Sequence, residues 1–498
     1  MIKTATIESR RRHRHRWFAV AVLAMICAQA PLAFAAQSQQ ENAGAIRHYQ
    51  LHGSGTTNPS KLIWLAMDKL EEMAGSTLRM TYRSVGSGTG ASDWASANAG
   101  DFASTDYGLA AVTSPAGAPF MQIPFQIGAV SLFHNVPGVG TGVMKLSACT
   151  VAKIFTGAIT NWNHADIAAD SGLTLPSQTI KVIARSNGSS STYGLRGYMN
   201  AACPTVFTGA VDATALTGTF VHTGVTGSDS MRLAIGANEY SIGYIDAGHG
   251  HLDNLSEVSL KNANNEWVVT KEGDPAGRLT ANIPAVVTST VKATFPGSGA
   301  TDYAGDWSGV NLFNKAGAGV WPICAFTYLH VRTTYTETAT TGVVRAFVEY
   351  MLSPAIQDKI TEFYFYPLDS AFAAEVKTAV STTLSAASPV WTWVDPVPTG
   401  SSYTVSGAMG YTTFSPKRQT YAEYERGLFK KNIAALEASV AALKTELAAK
   451  TGNDDAADER TLALAAISFV VAVIAVIVGS IAMCRGGRSS QVMRVVGM

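Results

Sequence analysis

Lys181-Val-Ile-Ala-Arg185-Ser-Asn-Gly-Ser189-Ser-Ser191-Thr192 is the most informative segment of this 498-residue chain. A β-rich run (Ile180, Val182, Ile183) ends in an arginine. A polar turn with four serines and one glycine follows, and helical spacing begins at about Thr192 with Tyr193, Leu195, Arg196, Tyr198 and Met199. Strand, turn and helix start together form an anion cradle. First-turn N–H groups lack intrahelical partners, and the helix dipole favours negative charge at that end. Arg185 adds a planar, always-charged fork, and serine hydroxyls add donors that rotate to fit. One such turn is an ordinary capped helix start. Its recurrence upstream points to a binding site.

The same pattern occurs twice before it. Residues 46–58 carry a short strand into Gly53-Ser-Gly-Thr-Thr57-Asn58, after which Pro59 opens a helix with Leu62, Ile63, Ala66, Leu70 and Met73 on one face. Leu78, Met80 and Tyr82 alternate as a strand, Val85-Gly86-Ser87-Gly-Thr-Gly90 turns, and a short helix is expected over 91–99. Asp101-Phe-Ala-Ser-Thr-Asp106 reads as a strand ending in a carboxylate. Ile123–Phe133 reads as a buried crossing strand, Ser147–Phe155 as a helix and Tyr240–Ile245 as a further buried strand. A strand is expected from Val320 through Leu329, with helices over Val343–Leu352 and Ile356–Tyr364. Strands alternating with helices predict an α/β fold with mostly parallel sheets, and ligands in such folds gather at the carboxyl ends of strands.

Composition narrows the function. At 47% hydrophobic and 15% charged, the chain has room for two lobes. A net charge of +1 excludes a nucleic-acid footprint spread over the surface.

Both ends carry membrane signals. Arg10–Arg16, the apolar run Trp17–Ala30 and Ala33-Phe-Ala35 predict a signal peptide over 1–35. Leu462–Met483 is an apolar run of about 22 residues, enough to span a bilayer. It has an acidic upstream flank and a basic downstream one. These flanks predict a single-pass type I plasma-membrane protein with its ectodomain outside and 484–498 in the cytosol. Residues 389–420 read as a Pro/Gly/Ser/Thr-rich linker. In 421–450, Phe429, Ile433, Leu436, Val440, Leu443 and Leu447 step as a heptad seam, either a self-associating stalk or a lone amphipathic helix. Cys149, Cys203 and Cys324 face the oxidising side, leaving room for one disulfide. Cys149–Cys203 is expected because both lie in one proposed lobe, with Cys324 buried and free.

Donors dominate the convergent set, so the expected ligand is an oxyanion. The lone carboxylate is selective: it repels a fully deprotonated anion and accepts a hydrogen bond from one that keeps a proton, as phosphate does near neutral pH.

The ordered motifs 53–59, 86–90, 101–106, Lys153–Trp162 and 185–192, with Ile242-Gly243-Tyr244 and Trp321-Pro322, resemble the PstS-type phosphate-binding proteins of bacterial phosphate importers. The likeness covers about 48–375. It implies a two-lobed clamshell closing on one phosphate, with lobe 1 over 46–125 plus 320–388 and lobe 2 over 126–319. It also implies contacts from Thr57, the backbone N–H of Asn58, Ser87, Asp106, Arg185, Ser189, Ser190 and Ser191, no cofactor, and a transporter as partner. The chain departs from that family at Asn58, which stands where an aromatic is common. Ser190 stands for a glycine and Asn187 for an acid. The stalk and membrane span lie outside the pattern, and an anchored form without a lipoprotein cysteine is expected at a eukaryotic cell surface.

Two other classes compete. A phosphate-ester hydrolase needs a base beside a serine, and the chain has no G-x-S-x-G, Walker or HExxH motif. His249-Gly-His251 reads as a turn rather than a metal site. An adhesion or structural protein with a degenerate binding fold is the third reading. Asn187-Gly-Ser189 is a glycosylation sequon, so a site at this loop requires Asn187 to be unmodified.

Overall fold

The computed structural model describes residues 48–96, 100–110, 118–271, 279–284, 292–297, 301–385, 390–393, 413–418 and 420–449. The expected signal peptide, membrane span and cytosolic tail lie outside them. Among the described residues no helix is long and apolar enough to cross a membrane.

Residues 47–420 form one unit and 421–498, with the N-terminal residues, another. In chain order the first unit contains β1 (His48–Gly55), α1 (Ser60–Met73), β2 (Thr77–Ser84), α2 (Ser87–Ala95), β3 (Phe102–Thr105) and β4 (Phe120–His134). Then come α3 (Ala148–Phe155), β5 (Lys181–Arg185), α4 (Ser190–Ala202), β6 (Val221–Val225), α5 (Ser228–Ala237), β7 (Ser241–Asp246) and α6 (Ala247–Leu252). β8 (Ile323–Arg332), α7 (Thr338–Met351) and α8 (Ser370–Thr383) follow.

The main sheet runs β2–β1–β3–β8–β4–β7–β5–β6. Its flanks are parallel (β2–β1–β3 and β7–β5–β6), but β8 and β4 run against their neighbours. The mostly parallel expectation is therefore corrected to a mixed sheet. β4 explains the two lobes. It pairs with β8 up to Ala129 and with β7 from Val130, so one continuous strand belongs to both halves. The changeover falls a few residues beyond the expected 125/126 boundary. β4 is buried nearly throughout, which is why its sequence shows no polar alternation.

Turn chemistry fixes the helix starts. Gly55 sits at φ +152°, and a Cβ there would lie 2.0 Å from the Ser104 carbonyl oxygen. This close approach joins β1 to β3 and requires glycine. Gly86 (φ +94°) opens α2, which starts at Ser87 rather than near 91. α4 begins at Ser190, capped by the Ser189 hydroxyl accepting from Ser191 N–H at 3.2 Å.

Lobe 2 contains the Cys149–Cys203 disulfide, which ties α3 to the end of α4, and Cys324 is buried and free. Residues 252–320, which showed little periodicity, contribute only two- and three-residue strands among the described residues. The expected helix over 356–364 is a short helix, Pro354–Gln357, followed by a 3-10 turn, Ile360–Phe363. The described ends of the 389–420 segment are docked on lobe 1. Trp391 stacks on Phe414 and meets Tyr49 edge-on, while Gly75 N–H donates to Thr413 O at 2.7 Å.

The second unit contains one described helix, α9 (Tyr421–Ala449), which covers the expected stalk. Leu428 and Phe429 are exposed on it.

Candidate anion site

Asp106 directly follows β3 and is 6% exposed. Its Oδ2 accepts from Thr56 Oγ1 (2.5 Å), Asn58 Nδ2 (2.9 Å) and Ser190 Oγ (2.8 Å). Its Oδ1 accepts from Thr327 Oγ1 at 2.8 Å. Ser190 belongs to lobe 2, so Asp106 is a bond across the cleft. Burial raises its pKa above the usual carboxylate value, the hydrogen bonds from Thr56, Ser190 and Thr327 oppose that rise, and the charge of Asp246 adds to it.

Three helix starts converge here. Thr57 and Asn58 precede α1, with the Ser60 hydroxyl donating to the Thr57 carbonyl at 2.9 Å. Ser87 opens α2, and its hydroxyl accepts from Asp106 N–H at 3.2 Å. The Cβ that Gly88 lacks would lie 2.7 Å from the Gly188 Cα, so the α2 and α4 turns touch.

Arg185, 2% exposed, ends β5. Its backbone N–H donates to the Tyr244 hydroxyl at 3.1 Å, and its Nη2 donates to Asn187 Oδ1 at 3.3 Å. Burial lowers its pKa, with Tyr244 and Asp246 acting the other way. Its Nε and the Ser191 Oγ are buried with no hydrogen-bond partner. Buried polar atoms are seldom left so, because each costs about 1–3 kcal/mol unpaired and more when charged. One guanidinium N–H and one hydroxyl, both inside the same cradle, are therefore available to a ligand acceptor.

The geometry is that of an oxyanion pocket with one proton acceptor. No hydroxyl in it is paired with a histidine base, and among the described residues no His/Cys/Asp/Glu cluster could hold a metal. His249 is bonded to none of the cradle hydroxyls: it lies in α6, bonded through Nδ1 to Asp246 Oδ2 at 2.5 Å, and His251 Nε2 meets Thr270 Oγ1 at 2.7 Å. Both are helical rather than turn residues.

The sequence matches the PBP superfamily domain over residues 35–355. The chain belongs to the PBP superfamily. Within it, the chain is 28% identical over 342 residues to the phosphate-binding protein PstS2 of Mycobacterium bovis, covering 67% of this chain and 86% of that one. It is 26% identical over 307 residues to the phosphate-binding protein PstS of Haemophilus influenzae, covering 61% and 85%. Among solved structures, a phosphate-binding protein from Stenotrophomonas maltophilia aligns with a TM-score of 0.49 at 21% identity, over 66% and 93% of the two chains.

All eight expected site residues of this PBP superfamily chain lie at the same corner, though not all in the expected roles. The Ser189 hydroxyl caps its helix, Ser190 bonds Asp106, and Ser191 is the one left without a partner. The Asn58 N–H faces Thr56 Oγ1 at 3.4 Å, while its side chain holds Asp106. Three members escaped the sequence reading: Thr56, Thr327 and Ser228, whose hydroxyl contacts Thr57 Oγ1 at 2.9 Å and Asn58 Oδ1 at 3.2 Å. Gly227-Ser228-Asp229 before the apolar pair Met231 and Ile235 is a helix-start signal that marks Ser228. Thr327, inside the apolar strand β8, carries no such signal.

Proposed function

We propose that this chain binds inorganic phosphate between its two lobes without transforming it. The observation that carries this reading is the pairing of two unpartnered buried donors, Arg185 Nε and Ser191 Oγ, with one proton acceptor, Asp106. Donors serve a multi-acceptor oxyanion, and the carboxylate admits only one that retains a proton. The names of the curated relatives are consistent with that ligand. Ser190 donates to an aspartate that three other groups also donate to, which makes Asp106 a weak activating base for a serine nucleophile.

The setting belongs to the same proposal and rests on the sequence. In this reading the signal peptide expected over 1–35, the apolar run Leu462–Met483 and the basic tail set the lobes on the outer face of a eukaryotic plasma membrane. There the protein presents captured phosphate to a transporter or senses its scarcity, with self-association through the 421–450 helix.

The test is calorimetric titration of the purified full chain with phosphate and sulfate, alongside Arg185→Ala. Phosphate binds and sulfate does not. Arg185→Ala loses at least about 2 kcal/mol, a factor of roughly thirty or more, as expected for a charge-assisted contact in a buried site. A wild type that binds neither anion defeats the proposal.

A further inference from the structure

We infer that this site takes phosphate as the dihydrogen monoanion, because a hydrogen-bond relay from Asp106 through Asn58 and Ser228 turns Thr57 into a proton acceptor. The inference rests on the phosphate reading above.

The direction of each bond in the relay follows from the one before. An ionised carboxylate only accepts, so the atom of Asn58 that faces Asp106 Oδ2 at 2.9 Å is the amide nitrogen. The Asn58 carbonyl oxygen therefore faces Ser228, 3.2 Å away. That oxygen is buried and only accepts, so Ser228 donates its single hydroxyl proton to it. The Ser228 oxygen then has only lone pairs for Thr57 Oγ1, 2.9 Å away, and Thr57 must donate to it. The reverse polarity, with Ser228 donating to Thr57, strands the buried amide oxygen of Asn58 without a donor. With its proton committed across the cleft, Thr57 offers the anion lone pairs only.

Asp106 has little acceptor capacity left. Three donors occupy Oδ2, and Thr327 occupies one side of Oδ1. One lone pair remains on Oδ1. The site thus presents two acceptors to the ligand, Asp106 Oδ1 and Thr57 Oγ1, each requiring a ligand proton. Inorganic phosphate with two protons satisfies both. The hydrogen phosphate dianion satisfies one and sets an oxygen lone pair against the other.

The fixed charges agree. The charged and titratable groups at this corner are Arg185 and Asp106, with Asp246 beyond them, Asp229 next to Ser228 with Lys61 and His249 nearby, and the phenols of Tyr82, Tyr107 and Tyr244. Asp246 acts on the charge of Arg185, and Asp106 adds a further negative charge to the same corner, a balance better matched to a single negative charge on the ligand than to two. Of the four donors on Asp106, which are Thr56, Asn58, Ser190 and Thr327, Asn58 is the one bonded to Ser228. It is a positioning residue that links the proton acceptor to the opposite lobe.

The test counts protons taken up on binding. Calorimetry of the full chain with inorganic phosphate is run roughly one pH unit above the second dissociation of free phosphate, where about nine-tenths of the ligand is dianion. Repeating it in buffers of different ionisation enthalpy gives the proton stoichiometry. The expected uptake is about 0.9 proton per anion bound, since the dianion must be protonated to enter. Ser228→Ala frees Thr57 to donate, and uptake falls toward zero. Ser228→Thr keeps the hydroxyl and restores the uptake. Wild-type binding without proton uptake overturns the inference and leaves phosphate binding standing, as does an uptake unchanged in Ser228→Ala. Absence of phosphate binding at any pH overturns the function itself.

Discussion

Asp106→Asn should convert a phosphate site into one that accepts sulfate. The carboxylate is buried, and Oδ1, which accepts from Thr327, keeps one open lone pair. A sulfate oxygen brought to that lone pair has no proton to share. Two unit charges about 4 Å apart repel by about 4 kcal/mol at an effective dielectric of 20. Asparagine removes the charge and can turn an N–H toward the anion. Sulfate affinity should therefore rise by about three powers of ten, each worth about 1.4 kcal/mol. Phosphate moves the other way. It exchanges a hydrogen bond to a charged acceptor, worth about 1.5–3 kcal/mol, for a neutral one, and should weaken by roughly ten- to a hundredfold. Titration of wild type and variant with both anions, at fixed pH and ionic strength, reads the two changes separately. A folded Asp106→Asn protein that binds phosphate yet still excludes sulfate would refute the reasoning, because selectivity would then reside elsewhere.

Three further outcomes follow from the structure. Loss of the Cys149–Cys203 bond, in the double Cys→Ser variant, frees a loop of 54 residues' separation and should lower unfolding free energy by about 4 kcal/mol on chain entropy, read as a reduced urea midpoint. Burial holds His134 and His251 down to about 4 and His330 to about 3, so between pH 6.5 and pH 4 the unfolded chain binds more protons than the folded one. Stability is full above that window and falls as pH drops through it, by up to about 3 kcal/mol per histidine. Glu257 has the opposite sign: burial raises it to about 7, so its contribution is present at low pH and lost as pH rises through 7, offsetting about one histidine. Urea midpoints that do not fall between pH 7 and pH 4 would contradict this account. Finally, Arg185→Ala should abolish tight phosphate binding while leaving the urea midpoint within about 1 kcal/mol of wild type, since burial opposes the charge it removes.

The strand–turn–helix units and their order were legible in the amino-acid sequence. Those signals are local: glycines where the backbone turns left or approaches another strand, hydroxyls and proline at helix starts, apolar residues at helical or strand spacing. They located Thr57, Ser87, Asp106 and Arg185 at the ends of elements, and an α/β fold follows from their alternation. What surrounds Asp106 was decided by the tertiary structure. Thr327 reaches it from 221 residues away in a strand flanked by Phe326 and Tyr328, where neither spacing nor composition marks a ligand-facing hydroxyl. Ser190 and Ser191 look interchangeable in the sequence. The turn of the helix, about 100° per residue, sends one to Asp106 and leaves the other unpaired. Strand direction was likewise settled in three dimensions, because a buried strand such as β4 reads the same whether its neighbours run with it or against it. The relay from Asp106 to Thr57 depends on Ser228 arriving from the other lobe, 170 residues beyond Asn58. Hydrogen-bond polarity is a property of neighbours in space, and only the closed arrangement of the two lobes supplies them.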